Sequence, residues 1–203
     1  MRFTLLVLML ILPLGVWAKW QDKYRTEEFR VAKAYGDSVG FKVFFGAEVT
    51  MARYSDAHLL LYGIPESFIE ENPTLFDWTM EEMYAAVKEV GGTLVQAHPY
   101  RKVKNLLPTQ YLDGVEVNCH PLYGKSDFAD MVEIATENKL ILTCGGDYHA
   151  DTYRPKCGVY LPDDLQDGIE IGRYILEAPS LTLCIHEPNT EKTYEYLHRR
   201  STM

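Results

Sequence analysis

Short continuous apolar runs and helix-spaced apolar stripes alternate along this chain. Phe41–Phe45, opened by Gly40 and closed by Gly46, predicts a strand, as does Ala57–Tyr62, closed by Gly63, Ile64 and Pro65. Residues 20–36 have a weaker helical spacing, and residues 66–78 read as a polar and aromatic connection. Thr79 and Glu82 form a capping box, and Met80, Met83, Tyr84 and Val87 then fall on one helical face until Gly91 and Gly92 stop the helix. Strands follow at Thr93–Ala97 and Val115–Asn118. Next come a helix at Ser126–Asn138 with Phe128, Met131, Val132 and Ala135 inward, and a buried strand at Lys139–Cys144 ended by Gly145 and Gly146. A strand at Gly158–Leu161, a helix over 165–177 and a strand at Leu181–Ile185 complete the series. Strand and helix alternating over short connections predict an α/β protein with a largely parallel sheet, either open and doubly wound or closed into a barrel.

The ends of the chain differ from this middle. In residues 1–18, Arg2 precedes an unbroken apolar run from Leu5 to Leu12, broken by Pro13 and Gly15, with Val16 and Ala18 ahead of Lys19. That order is the grammar of a secretory signal peptide or anchor, and it is equally open to a buried apolar strand or a replaced N-terminus. The expected organisation is therefore residues 1–18 as this apolar segment, 19–186 as the α/β domain and 187–203 as a polar tail. The four cysteines, Cys119, Cys144, Cys157 and Cys184, are scattered without a Cys-x-x-Cys pair, which reads as reduced core thiols and a cytoplasmic setting. A true signal peptide would instead imply export.

Composition narrows the function classes. Across 203 residues, 47% hydrophobic content and 24% charged residues give ample material for a core and exclude a disordered chain. A net charge of −9 argues against an extended nucleic-acid surface. A phosphorylated small molecule is still compatible, provided a local cation is bound.

Metal-type side chains cluster at predicted strand ends. Glu48 follows the first strand, His98 follows Thr93–Ala97, Cys119 and His120 follow Val115–Asn118, and Asp147 and His149 follow Lys139–Cys144. Side chains at the carboxyl ends of successive parallel strands converge on one mouth, and this nitrogen and oxygen donor set suits a divalent ion. Each residue also has a plain structural reading. Asp147 could cap a turn, His98 before Pro99 could mark a rigid strand exit, His58 could be a satisfied core histidine, and Glu48 an exposed strand-end carboxylate. His186 and His198 lie outside the constellation and read as structural or surface residues.

These segments resemble the polymerase and histidinol phosphatase (PHP) family of metal-dependent phosphoesterases. The resemblance rests on Gly46-Ala47-Glu48-Val49-Thr50, Ala57-His58-Leu59-Leu60-Leu61-Tyr62-Gly63, and the run from Gly91-Gly92 to Ala97-His98-Pro99-Tyr100-Arg101. It is completed by Val115-Glu116-Val117-Asn118 and Gly145-Gly146-Asp147-Tyr148-His149. It spans roughly residues 40–162. It implies a distorted TIM-like (β/α)7 barrel holding two or three divalent ions, manganese, zinc or iron, at its carboxyl-terminal mouth. Glu48 would bridge two metals, with His58, His98, Asp147 and His149 as further ligands and either Cys119 or His120 filling the place after Asn118. Catalysis would centre on Asp147, His149 and Glu48, with Arg101 or Arg154 binding substrate phosphate or, alternatively, forming surface ion pairs.

The chain also departs from the family pattern. No segment matches the family's Asp-x-His-x-His or Thr-Asp-His strands, and the first histidine is His58. The barrel is therefore expected to be partial, its first two strands missing or replaced, with a sheet edge available for pairing with a second copy. The expected function is hydrolysis of a small-molecule or nucleotide phosphate ester by metal-activated water. The alternatives are a truncated, non-catalytic PHP-like remnant and an amidohydrolase-like barrel cleaving C–N or C–O bonds.

Overall fold

The structure is a computed structural model that describes Leu10–Ile11 and residues 26–55, 57–101, 104–120, 127–148 and 156–200. One sheet of six strands dominates, in the spatial order of the sequence: β1 (Leu10–Ile11), β2 (Gly46–Met51), β3 (Ala57–Tyr62), β4 (Thr93–Gln96), β5 (Gly114–Asn118) and β6 (Ile141–Gly145). A second, antiparallel sheet contains β7 (Gly158–Val159), β8 (Ser180–His186) and β9 (Thr193–Arg199). The helices are α1 (Glu27–Ser38), α2 (Glu66–Glu71), α3 (Met80–Glu89), α4 (Phe128–Glu137) and α5 (Gly168–Glu177).

Four sequence expectations need correction. The main sheet is mixed rather than largely parallel, because β3 runs antiparallel to both β2 and β4. Only a single 3-10 turn at Ala52–Tyr54, ending in left-handed Ser55, separates β2 from β3, and so short a link allows a hairpin but not a parallel crossover. No barrel closes among the described residues: β1 and β6 end the sheet, and the second sheet packs beside β6. The expected strand at Phe41–Phe45 is displaced to Gly46–Met51, so Glu48 lies inside a strand instead of after one. The polar segment from residue 187, read as a tail, supplies β9, which pairs along its whole length with β8.

The core forms where the apolar runs predicted it. Val49, Leu59, Leu61, Leu94, Val95, Val115, Val117, Ile141 and Leu142 are fully buried in the sheet. The capping box at the start of α3 is present: Glu82 N–H donates to Thr79 Oγ1 and Thr79 N–H donates back to the Glu82 carboxylate. Met80, Met83 and Val87 of that helix are buried as their spacing required. Phe128 of α4 packs edge-on against Tyr194 and Tyr196 of β9, joining the two sheets' layers. Among the described residues no helix is long and apolar enough to cross a membrane.

Helix α5 packs on β3 and β4 through glycine. The Gly172 carbonyl accepts from Thr93 Oγ1 at 2.9 Å, and a Cβ at Gly172 would lie 2.4 Å from the Cα of Gly63. Gly63 itself has φ +69°, a conformation that favours glycine, so this neighbour cannot rotate away as a side chain would. Gly172→Ala is expected to destabilise the protein by about 1–3 kcal/mol, the usual cost of overpacking. The check is a lowered urea midpoint with an unchanged denaturant slope.

Candidate metal centre

Glu48 is the third residue of β2, and the reversal of β3 brings His58 to it. Thr50 and His58 are register partners, so their side chains share a face, and Glu48 lies two residues back on that same face. His98 arrives from the exit of β4, where Ala97 N–H still donates to His58 O at 3.0 Å. One ligand atom from each of Glu48, His58 and His98 lies within 4.8 Å of the others. Glu48 and His98 are each 7% exposed. The two imidazoles meet edge to face, 4.9 Å between centroids.

The electrostatics follow from that burial. Desolvation alone would raise the Glu48 carboxyl. The hydrogen bond from His58, with the His98 ring close by and the charges of both imidazoles, outweighs it and brings the group down to about 2. An ionised carboxylate only accepts, so His58 Nδ1 donates to Glu48 Oε1. His98 Nε2 lies 3.4 Å from the same oxygen, is buried, and makes no aligned hydrogen bond. It also stands 3.9 Å from Oδ1 of Asp147, whose side chain is 2% exposed. A buried imidazole nitrogen facing two carboxylates is an arrangement a divalent cation would satisfy, and oxygen and imidazole donors suit manganese, zinc or iron. The residues present therefore fit such an ion.

The backbone at this site is unusual. His98 has φ +29° and Asp147 φ +47°, both in the left-handed region that non-glycine residues seldom adopt. Arg101 N–H donates to His98 O at 3.0 Å, and the Arg101 guanidinium pairs with Asp147 Oδ2 at 2.9 Å. Arg101 thus sits in the site as the partner of a buried carboxylate, not as a surface ion pair.

Glu116 was overlooked by motif reasoning. It is buried in β5 and feels the charges of Glu48 and Asp147. Burial first, then those two carboxylates, push its carboxyl well above the usual range. The available signal was an acid inside an apolar strand, with Val115 and Val117 on the opposite face. Gly145 makes room for it: a Cβ there would lie 2.1 Å from Glu116 Oε1.

The other predicted residues divide. His120 is buried beside the strand exit, its N–H donating to Asn118 Oδ1, and does not belong to the trio. Cys119 is buried and does not belong to the trio. His149 and Arg154 lie outside the described residues. His186 and His198 are buried and bound to backbone, His186 Nδ1 accepting from Lys156 N–H and His198 Nε2 donating to Leu140 O, as structural histidines would be.

No protein-family model and no curated protein sequence matches the chain. Among solved structures it is similar to a two-domain protein from Bacteroides vulgatus containing a predicted PHP-like metal-dependent phosphoesterase. The TM-score is 0.58 at 16% identity, over 79% of this chain and 50% of that one. It also aligns with PsfC from Pseudomonas syringae, with a TM-score of 0.49 and 22% identity over 63% of this chain and 54% of that one. This chain thus spans about half the length of the solved structures it matches. The first likeness establishes a PHP-like fold.

Two outcomes are expected at this site. Gly145→Ala should destabilise by about 1–3 kcal/mol, and adding Glu116→Ala should remove much of that penalty, so a double-mutant cycle of denaturation free energies reads a coupling between the two positions. Asp127, which accepts from Asn118 N–H at 3.1 Å, has its carboxyl raised by burial from 3.8 to about 7. The folded state holds that proton where the unfolded chain releases it. Its stabilising contribution is complete below pH 3.8 and is lost as pH rises through about 7. Asp127→Asn should therefore gain stability relative to the parent protein as pH rises from 4 to 7, measured by urea midpoints across that window.

Proposed function

We propose that the chain is a metal-dependent phosphoesterase of the PHP type, hydrolysing a small-molecule or nucleotide phosphate ester. The observation that carries this reading is the buried Glu48–His58–His98 trio beside Asp147. Its setting on a PHP-like fold supports it. Glu48, His58, His98 and Asp147 would hold divalent metal, which when bound supplies a nucleophile from water at neutral pH and offsets phosphoryl charge.

The chain's own residues then have separable tasks. Glu48 stays ionised across the physiological range and would present a carboxylate oxygen to the cation. Hydrogen bonding to Glu48 fixes the His58 ring. Arg101 orients Asp147 through one side of its guanidinium, and the donors not engaged there could take a phosphate oxygen. With net charge −9, metal and Arg101 must provide the positive field that attracts an anionic ester.

The test is direct. The purified protein should carry manganese, zinc or iron and hydrolyse para-nitrophenyl phosphate. Chelation should abolish turnover and manganese should restore it. Glu48→Gln should lower both metal content and turnover at least about 100-fold, a loss in keeping with metal-ligand chemistry. Turnover that survives Glu48→Gln would defeat the assignment. Stoichiometric metal without hydrolysis of any phosphate ester would instead identify a non-catalytic metal-binding domain.

A further inference from the structure

Strand β9 ends the second sheet, and its outer edge has no partner strand among the described residues. It pairs with β8 residue for residue from Thr193 to Arg199, without a bulge or a proline. Glu187 N–H donates to Lys192 O and Arg200 N–H donates to Pro179 O, so Lys192 and Arg200 turn their backbone groups toward β8. Antiparallel ladders alternate, so Tyr194, Tyr196 and His198 do the same. Thr193, Glu195, Leu197 and Arg199 turn theirs to the open edge.

Side chains alternate as well. Phe128 packs edge-on against Tyr194 and Tyr196, and His198 Nε2 donates to Leu140 O, so the even-numbered side chains fasten the strand in place. Thr193, Glu195, Leu197 and Arg199 lie on the opposite face and are all exposed, Leu197 by 45%. The edge is thus held ready for a partner by packing on its other face.

The order of these exposed residues is self-complementary. Edge strands are commonly blunted by like charges, proline or a bulge. In β9 the charges are of opposite sign and flank Leu197 at equal spacing, Glu195 before it and Arg199 after it. A second β9 laid antiparallel with Leu197 opposite Leu197 sets Glu195 of each copy opposite Arg199 of the other. All of these residues turn their backbone groups to the edge, so they form hydrogen-bonded pairs of the ladder. Centring the two-fold axis on Tyr196 would set Glu195 against Leu197. Centring it on Glu195 or Arg199 would bring like charges together, which destabilises a strand pair. A second copy supplies both ion pairs from one sequence, as an isologous interface requires.

We propose that β9 is a homodimerisation edge. Two copies pair antiparallel about a two-fold axis at Leu197 and join their three-stranded sheets into one continuous sheet. The metal trio is carried by the first sheet, so this association needs neither metal nor hydrolysis.

Sedimentation velocity on the full chain over about 1 to 200 μM, a range that brackets micromolar association, should show a monomer–dimer equilibrium. Hydrogen exchange should show the amides of Glu195, Leu197 and Arg199 exposed in the dilute monomer and protected at the concentrated end. Glu195→Arg and Arg199→Glu should each raise the dissociation constant at least about tenfold, since one change acts at two symmetry-related pairs. Combining the two changes should return it toward the parent value, and Leu197→Lys should leave a folded monomer. A monomer throughout the range would overturn the proposal and leave the edge to a strand of another protein. So would β9 amides already protected in the dilute monomer, where this chain's own residues would cover the edge. A dimer with unprotected β9 amides, or one that both single charge reversals leave intact, would overturn it too. The exchange measurement on the unsubstituted protein decides the matter even if a variant fails to fold.

Discussion

A negative charge buried inside a β-sheet is the constraint around which this molecule is arranged. Glu48 stands between Ala47 and Val49, opposite Leu60, in a setting that would otherwise be apolar. Burying a carboxylate there costs several kcal/mol unless oriented donors meet it. His58 donates to it and the His98 imidazole stands 3.4 Å away, and bringing both to Glu48 constrains the topology around them. A parallel β3 would put its first residue at the far edge of the sheet. Only the reversed strand brings the start of β3 level with the second half of β2 and the exit of β4. The mixed sheet is thus the geometry that pairs the charge.

The elements were legible in the sequence where one rhythm dominated. The hairpin strand Ala57–Tyr62, the capped helix after Thr79 and the strand ended by Gly145 stand where apolar runs, capping residues and glycines placed them. The direction of β3 was not legible, because an apolar run has no polarity and the deciding feature is a tight turn without a glycine signature, Ala52–Tyr54 and Ser55. Strand β2 was misplaced for a related reason. Phe41–Phe45 is more hydrophobic than Gly46–Met51, yet the ladder forms over the latter, and partner strands decide that choice, not local preference. The strand at Thr193–Arg199 was hidden by its polarity: most of its side chains face solvent and its pairing with β8 supplies the order that composition does not.

The candidate site was more legible than the sheet that carries it. Glu48 and His98 could be named from residue type and order, because nitrogen and oxygen donors at predicted strand ends are a chemical signal independent of strand direction, whereas His58 became a ligand candidate only through the family resemblance. Glu116 escaped because it lies in mid-strand, where alternation suggested nothing beyond an inward-facing polar residue. Cys119 escaped in the opposite sense. Its neighbours in sequence made it a ligand candidate, whereas the structure leaves it outside the trio, its N–H tied to the Gly145 carbonyl.

The backbone carries the last step of the argument. His98 and Asp147 both occupy left-handed conformations that cost on the order of 1 kcal/mol each, and neither is glycine or part of a tight hairpin. A fold seeking stability alone would place glycine at both. Instead the strain is held by specific contacts, the Arg101 N–H on the His98 carbonyl and the Arg101 guanidinium on the Asp147 carboxylate. What these conformations achieve is to point a buried imidazole nitrogen and a buried carboxylate toward Glu48 across a gap of 3 to 4 Å. Packing gains nothing from that alignment, and no aligned hydrogen bond reaches His98 Nε2. A cation is the occupant for which the expense of both conformations makes physical sense.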